Sequence, residues 1–162
     1  MKEEWFKAIE NNNINKVNEL INQGIDVNIQ NTLGYTALIL TSYYGYNQIV
    51  ELLLKHPNIN INIQNNYDNT ALIEALYYRH EEIVKSLLKH PGIDINIQNN
   101  DGENFIDFFK YNSFLIDYQL QKEILNNDRD DIILFLDKYN LIHPNIKKEN
   151  PDLFKANVWG LV

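Results

Sequence analysis

Histidine is the side chain whose charge changes nearest neutral pH, and it is a frequent zinc ligand, so the four histidines are the first candidates for chemistry. Three of them precede proline: His56, His90 and His143. His56 and His90 recur inside the same segment, Leu-Leu-Lys-His-Pro, at residues 53–57 and 87–91. Recurrence of that kind reads as a structural position at a helix end, where a histidine caps carbonyls and favours the dipole. His80 falls at a turn between two helices and reads as structural too. Asp128, Asp130 and Asp131 flank Arg129, but the glycine and spaced glutamate of a calcium loop are missing. Carboxylates there read as an N-cap. There is no cysteine, hence no thiol nucleophile, thiolate metal site or disulfide framework. No Gly-rich phosphate loop, Gly-x-Ser-x-Gly elbow or paired acid and base motif occurs. The sequence thus predicts no enzyme, no catalytic residue, no cofactor and no metal.

Tyrosine offers recognition instead of reaction. Tyr43-Tyr44 and Tyr77-Tyr78 are 34 residues apart, and Tyr111 follows at the same interval. A tyrosine brings large contact area at small entropic cost and carries a polar tip. The competing reading is that one tyrosine of each pair packs between structural units.

The interval belongs to the whole chain. Asn-Ile-Gln-Asn recurs at residues 28–31, 62–65 and 96–99, and residues 28–61 match 62–95 at 19 of 34 positions. Each unit predicts two short helices and a turn. Thr36 and Thr70 cap a first helix, and Gly45 ends it in a left-handed conformation. Ile49, Val50, Leu53 and Leu54 form the buried stripe of a second helix, which Pro57 and Pro91 stop. The Asn-Ile-Asn-Ile and Ile-Asp-Ile-Asn segments that follow alternate with period two, as in an extended arm, and Leu33-Gly34 and Tyr67-Asp68 form turn tips. A unit of this size cannot bury its own apolar face, so the units must stack.

The order of turn, Gly-x-Thr-x-Leu, helix, Gly, helix ending in Leu-Leu, and Asn-Ile-Asn arm resembles the ankyrin repeat. Gly34-Tyr35-Thr36-Ala37-Leu38 and Ile49-Val50-Glu51-Leu52-Leu53-Leu54 carry the likeness most clearly. The resemblance implies an all-α ankyrin-repeat solenoid of helix-turn-helix units joined by short β-hairpin-like turns. The expected organisation is a single domain, residues 1–162, with an N-terminal cap repeat at 1–27, repeats at 28–61 and 62–95, a divergent repeat at 96–125 and a C-terminal cap at 126–162. The family's Thr-Pro-Leu-His is Thr-Ala-Leu-Ile here, so the helix-starting proline and the histidine that links neighbouring turns are missing. Stability is expected to be somewhat lower, or to be rebuilt by packing of Ile39 and Ile73. The tail, Asn150-Pro151-Asp152-Leu153-Phe154, predicts a last short helix, with Val158, Trp159, Leu161 and Val162 covering the end of the stack. The wealth of Asn and Ile reads as codon bias without mechanistic content.

The resemblance also implies a protein partner held on the concave face of turn tips and first helices, as by an adaptor or inhibitor. The matching positions are Leu33, Tyr35, Tyr43 and Tyr44 in one unit and Tyr67, Asn69, Tyr77 and Tyr78 in the next. Asp101, Glu103 and Tyr111 follow in the third. Gln30, Thr32, Gln64, Asn66, Gln98 and Asn100 share that face. Tyr43, Tyr77 and Tyr111 are expected to form a row, with Tyr44 and Tyr78 beside it. A second reading is self-assembly through the apolar tail.

A net charge of −8 argues against nucleic acid, whose binding needs clustered Lys and Arg. Nine acidic residues against three basic ones between Asp101 and Asp137 would steer a basic patch on a partner, or form a solvated face. No apolar run reaches membrane-spanning length and the first twenty residues lack a signal-peptide core, so a monomer in the cytoplasm, without membrane contact, is expected.

Overall fold

The computed structural model describes residues 1–105, 107, 121–122, 132–133 and 142–155. The chain divides into two compact units, Met1–Lys110 and Tyr111–Val162. In the first, helices pair along the chain: α1 (Lys2–Glu10) with α2 (Ile14–Asn22), α3 (Ala37–Tyr44) with α4 (Asn47–Leu54), and α5 (Ala71–Tyr77) with α6 (Glu81–Leu88). The first helices of successive pairs pack side by side, as do the second helices, which gives two helical layers. Among the described residues there is no strand.

The local signals act as the sequence requires. Thr36 Oγ1 accepts from the Ile39 N–H at 3.2 Å and Thr70 Oγ1 from the Ile73 N–H at 3.3 Å, so each threonine satisfies an orphan donor of its helix. Gly45 ends α3 at φ +80°. Trp5, Ile9, Val17 and Leu20 fill the core of the first pair. Leu38, Ile39, Ile49, Val50 and Leu53 do so in the second, with Leu72, Ile73, Leu76, Ile83, Val84 and Leu87 in the third. Full burial of such a side chain stabilises by about 1.5–3 kcal/mol. Leu54 departs from its stripe and is half-buried, whereas Leu88 in the next repeat is buried. Ile39 and Ile73, at the place of the family's histidine, are core residues.

The link between neighbouring turns comes from the Asn-Ile-Gln-Asn segment. Gln30 Nε2 donates to the Gln64 carbonyl at 3.0 Å, and Gln64 Nε2 to the Gln98 carbonyl at 2.9 Å. The Asn66 N–H donates to Leu33 O and the Asn100 N–H to Tyr67 O. Asn28 bridges to the next arm by donating to Asn58 O at 2.7 Å and accepting from the Asn60 N–H at 2.8 Å; Asn62 repeats this with Gly92 O and the Asp94 N–H. Asn31, Asn65 and Asn99 each accept from two backbone amides of their own turn. Asparagine at these turn and arm positions is therefore structural. The arms also differ from the extended form: Asp26, Asn60 and Asp94 accept from the amide two residues on and make Asx turns.

The His-Pro pairs also differ in detail. His56 Nδ1 accepts from the Asn58 N–H at 3.2 Å and His90 Nδ1 from the Gly92 N–H at 3.1 Å. Both rings thus close the turn after the helix. The geometry places a lone pair, not a proton, on Nδ1.

In the second unit, α7 (Pro144–Glu149) and α8 (Pro151–Lys155) are in contact. α8 begins at Pro151, where the sequence predicts a last short helix. His143 caps α7, its Nδ1 accepting from the Asn145 N–H at 3.3 Å, while its own N–H donates to the buried Gln121 Oε1 at 2.9 Å. Ile132, Ile133, Ile142 and Ile146 are buried. The expectations for Tyr111, for the aspartates at 128, 130 and 131, and for the apolar tail from Val158 onward lie outside the described residues.

Candidate functional site

The repeat period sets the site. Turn tips place Tyr35, Tyr67, Asn69, Asp101 and Glu103 beside one another, and the first helices bring Tyr43 from the end of α3 and Tyr77 and Tyr78 from the end of α5. Stacking of the tips is tight. A Cβ on Gly34, at φ +78°, would lie 2.5 Å from Asn66 Oδ1 and 2.8 Å from Asn66 N, so only glycine lets this turn approach the next.

The result is a groove of about 490 Å³. Its walls carry Tyr35, Tyr43, Tyr67, Tyr77 and Tyr78; Asn69, Glu74, Asn99, Asn100, Asp101 and Glu103 complete the lining. Tyr43 is the hub. Its ring centroid lies 4.5 Å from that of Tyr78 at 65°, 4.9 Å from Tyr44 at 88° and 6.5 Å from Tyr35 at 85°. Tyr77 and Tyr78 meet at 5.1 Å. These are edge-to-face contacts, the favoured geometry for rings with quadrupoles.

Eight of the eleven sequence-derived positions thus share one groove. Leu33 and Tyr44 line an adjoining depression of about 240 Å³, which shares Tyr35 and Tyr43 with the groove. Tyr111 lies outside the described residues. The ring contact across the repeats is diagonal, Tyr43 with Tyr78. Tyr44 instead stacks on Tyr46 of its own repeat at 5.3 Å and 22°. Gln30 and Gln64 hold their amides in the ladder rather than offering them to a ligand.

Glu74 and Asn99 are the groove residues that sequence reading missed, and Glu74 is the more informative. It stands one period after Leu40, a buried apolar position, and is itself 3% exposed. The signal was present: an acid within the apolar face of a helix whose repeat mate is leucine. Asn65 Nδ2 and Asn69 Nδ2 donate to Glu74 Oε1 at 2.9 and 3.1 Å. Burial pushes its carboxyl above the usual range, and the Asn69 and Asn65 bonds offset part of that. Burial, and then the nearby Glu74 charge, pushes the Tyr35 phenol up to about 12. The Tyr43 hydroxyl beside it, and then burial, pushes Tyr78 to about 12. These two phenols are neutral at physiological pH, so neither adds negative charge to the groove.

The family model for ankyrin repeats (three copies) matches residues 5–99, more than half of the chain. The chain belongs to the ankyrin-repeat family. The match takes in the whole ankyrin groove except Asn100, Asp101 and Glu103, which continue it by one turn. A comparison with curated proteins gave no match. Ankyrin repeats mediate protein–protein interaction and are typically non-catalytic. Among the described residues, no three His, Asp or Glu side chains converge as a metal site, and no helix is long and apolar enough to cross a membrane. His80 of this ankyrin domain is engaged structurally, with Nε2 3.0 Å from Tyr43 O.

Proposed function

We propose that this ankyrin domain is an adaptor or inhibitor that binds a partner protein through the tyrosine groove and the depression beside it. One observation carries the reading. Among the described residues the exposed large apolar side chains are Met1, Leu33, Tyr44, Tyr67, Tyr77 and Tyr78, and all but Met1 line the groove or the depression. Clustered exposed aromatic surface marks interaction sites, and tyrosine is enriched where interfaces concentrate their energy. Tyr67 and Tyr77 are 56% and 64% exposed, so more than half of each residue's surface stays open to solvent.

The polar lining supports a partner with a basic patch. Glu74, Asp101 and Glu103 line the groove, and among the described residues no Lys or Arg does. Charge of one sign in a cleft speeds association with the opposite sign. The test is affinity purification of the full chain from the cell that makes it, with mass spectrometry, comparing wild type with the double variant Tyr67→Ala/Tyr77→Ala. The proposal expects a partner recovered by wild type and lost by the variant. Equal recovery would sink it.

A further inference from the structure

Glu74 presents an acid where the fold needs only an apolar side chain. Leu40 fills the same place in the preceding repeat, so nothing in the architecture demands a carboxylate there. Among the described residues no Lys or Arg pairs with Glu74, and both of its hydrogen bonds arrive at Oε1, so no protein donor reaches Oε2. Asn69 Oδ1 beside it is a buried acceptor with no hydrogen-bond partner. Its orientation is fixed, because Asn69 Nδ2 donates to Glu74 and a flipped amide would set oxygen against carboxylate. Both residues line the groove. A buried acceptor left unpaired costs free energy, and a donor from outside would recover it.

The surroundings define that donor. The rings of Tyr35, Tyr43 and Tyr78 line the same groove as these acceptors, as do Asp101 and Glu103. A group that only donates, carries positive charge and has a flat face to lay on a ring meets every condition. Guanidinium does so with five donors in a rigid plane; an ammonium is compact, lacks the flat face and holds its water more strongly. We propose that the groove is the receptor for one arginine side chain of the partner protein, laid along Tyr43 and Tyr78 and ending on Glu74 Oε2 and Asn69 Oδ1. This rests on the reading that the groove is the protein-binding face. The elevated Glu74 carboxyl agrees with it, since burial without a cation favours the protonated form.

The test is an NMR titration of the full chain with N-acetyl-arginine methylamide, and with its uncharged isostere N-acetyl-citrulline methylamide. Saturable shifts are expected at the Glu74, Tyr43 and Tyr78 amides and at the Asn69 side-chain amide. Binding is expected to be at least about tenfold weaker for citrulline, for Glu74→Gln, and for Tyr78→Leu, a variant at an exposed position that leaves Glu74 in place. Absence of saturable shifts, or equal binding by the citrulline compound, would overturn the inference. So would undiminished binding by either folded variant. A lysine analogue binding as tightly as arginine would overturn the choice of guanidinium. In the purification experiment, loss of the partner from Tyr67→Ala/Tyr77→Ala but not from Glu74→Gln removes the arginine receptor and leaves the groove. Loss from neither removes both.

Discussion

His80 Nε2 lies 3.0 Å from the carbonyl oxygen of Tyr43, one repeat earlier, while its ring stacks on Tyr78 at 6.4 Å and 20°. One imidazole therefore ties the end of α3 to the start of α6 and holds the two tyrosines that meet at the centre of the groove. His80→Ala is expected to cost about 1–2 kcal/mol, from one hydrogen bond and lost ring packing. Chemical denaturation measures it. An unchanged midpoint would show that the bond contributes nothing.

Gly45 is bound to the same contact. A Cβ there would lie 2.6 Å from His80 Cε1 and 2.8 Å from Nδ1, on a backbone at φ +80°. Gly45→Ala should cost upward of about 1–2 kcal/mol, the left-handed penalty for a side chain, with displacement of His80 added. Arg79 occupies the equivalent place one repeat later at φ +59°. Arg79→Gly should be neutral or stabilise by up to about 1 kcal/mol, since glycine removes the same penalty. Destabilisation by Gly45→Ala but not by Arg79→Gly is the expected outcome in thermal unfolding; destabilisation by both would contradict it.

The ladder between turns is tested at Gln64, whose Nε2 donates to Asp68 O at 2.6 Å and to Gln98 O at 2.9 Å. Gln64→Ala removes both bonds and should cost about 1–3 kcal/mol. Hydrogen exchange should rise in the turns at residues 65–69 and 99–103, because one of the two bonds couples neighbouring repeats. A loss of protection confined to residues 65–69 would mean that the ladder does not couple them.

The fold was legible where one residue type performs one local task. Thr36 and Thr70 are caps because a hydroxyl in that place has one use, and the Ile49, Val50, Leu53 stripe repeats at a spacing that a helix alone satisfies. The ladder was less legible, since Gln30 and Asn28 bond to carbonyls some thirty residues away and sequence shows the donor but not the acceptor. The groove residues followed from the repeat register. The diagonal meeting of Tyr43 with Tyr78 did not, because ring direction depends on packing across repeats. Glu74 was hidden by its surroundings, lying among buried apolar residues of α5 and drawing its two hydrogen bonds from the turn before it.

Glu74 gives a prediction with a definite sign. Its folded pKa is raised from 4.5, mainly by burial, so the folded chain retains a proton that the unfolded chain releases. The stabilising contribution of that proton is complete below the unfolded pKa and is lost as pH rises through the folded one. Glu74→Gln, which keeps an acceptor for Asn65 and Asn69, does not titrate. Its stability relative to wild type should rise as pH is taken from below about 4 to 7, each tenfold elevation of proton affinity being worth about 1.4 kcal/mol. Thermal melts of both proteins across that range give the comparison. A constant difference would show that burial does not tax the carboxylate.

The central claim, that the tyrosine face is the binding surface, is tested most directly by the dissociation constant of the purified partner. Calorimetry on wild type, Tyr67→Ala, Tyr77→Ala and the control Glu51→Ala on α4 would supply it. The account predicts a loss of about tenfold or more for each tyrosine variant, equivalent to about 1.4 kcal/mol, with the control unchanged and all four proteins folded at the temperature of the measurement. Dissociation constants for both tyrosine variants within about twofold of wild type would contradict it.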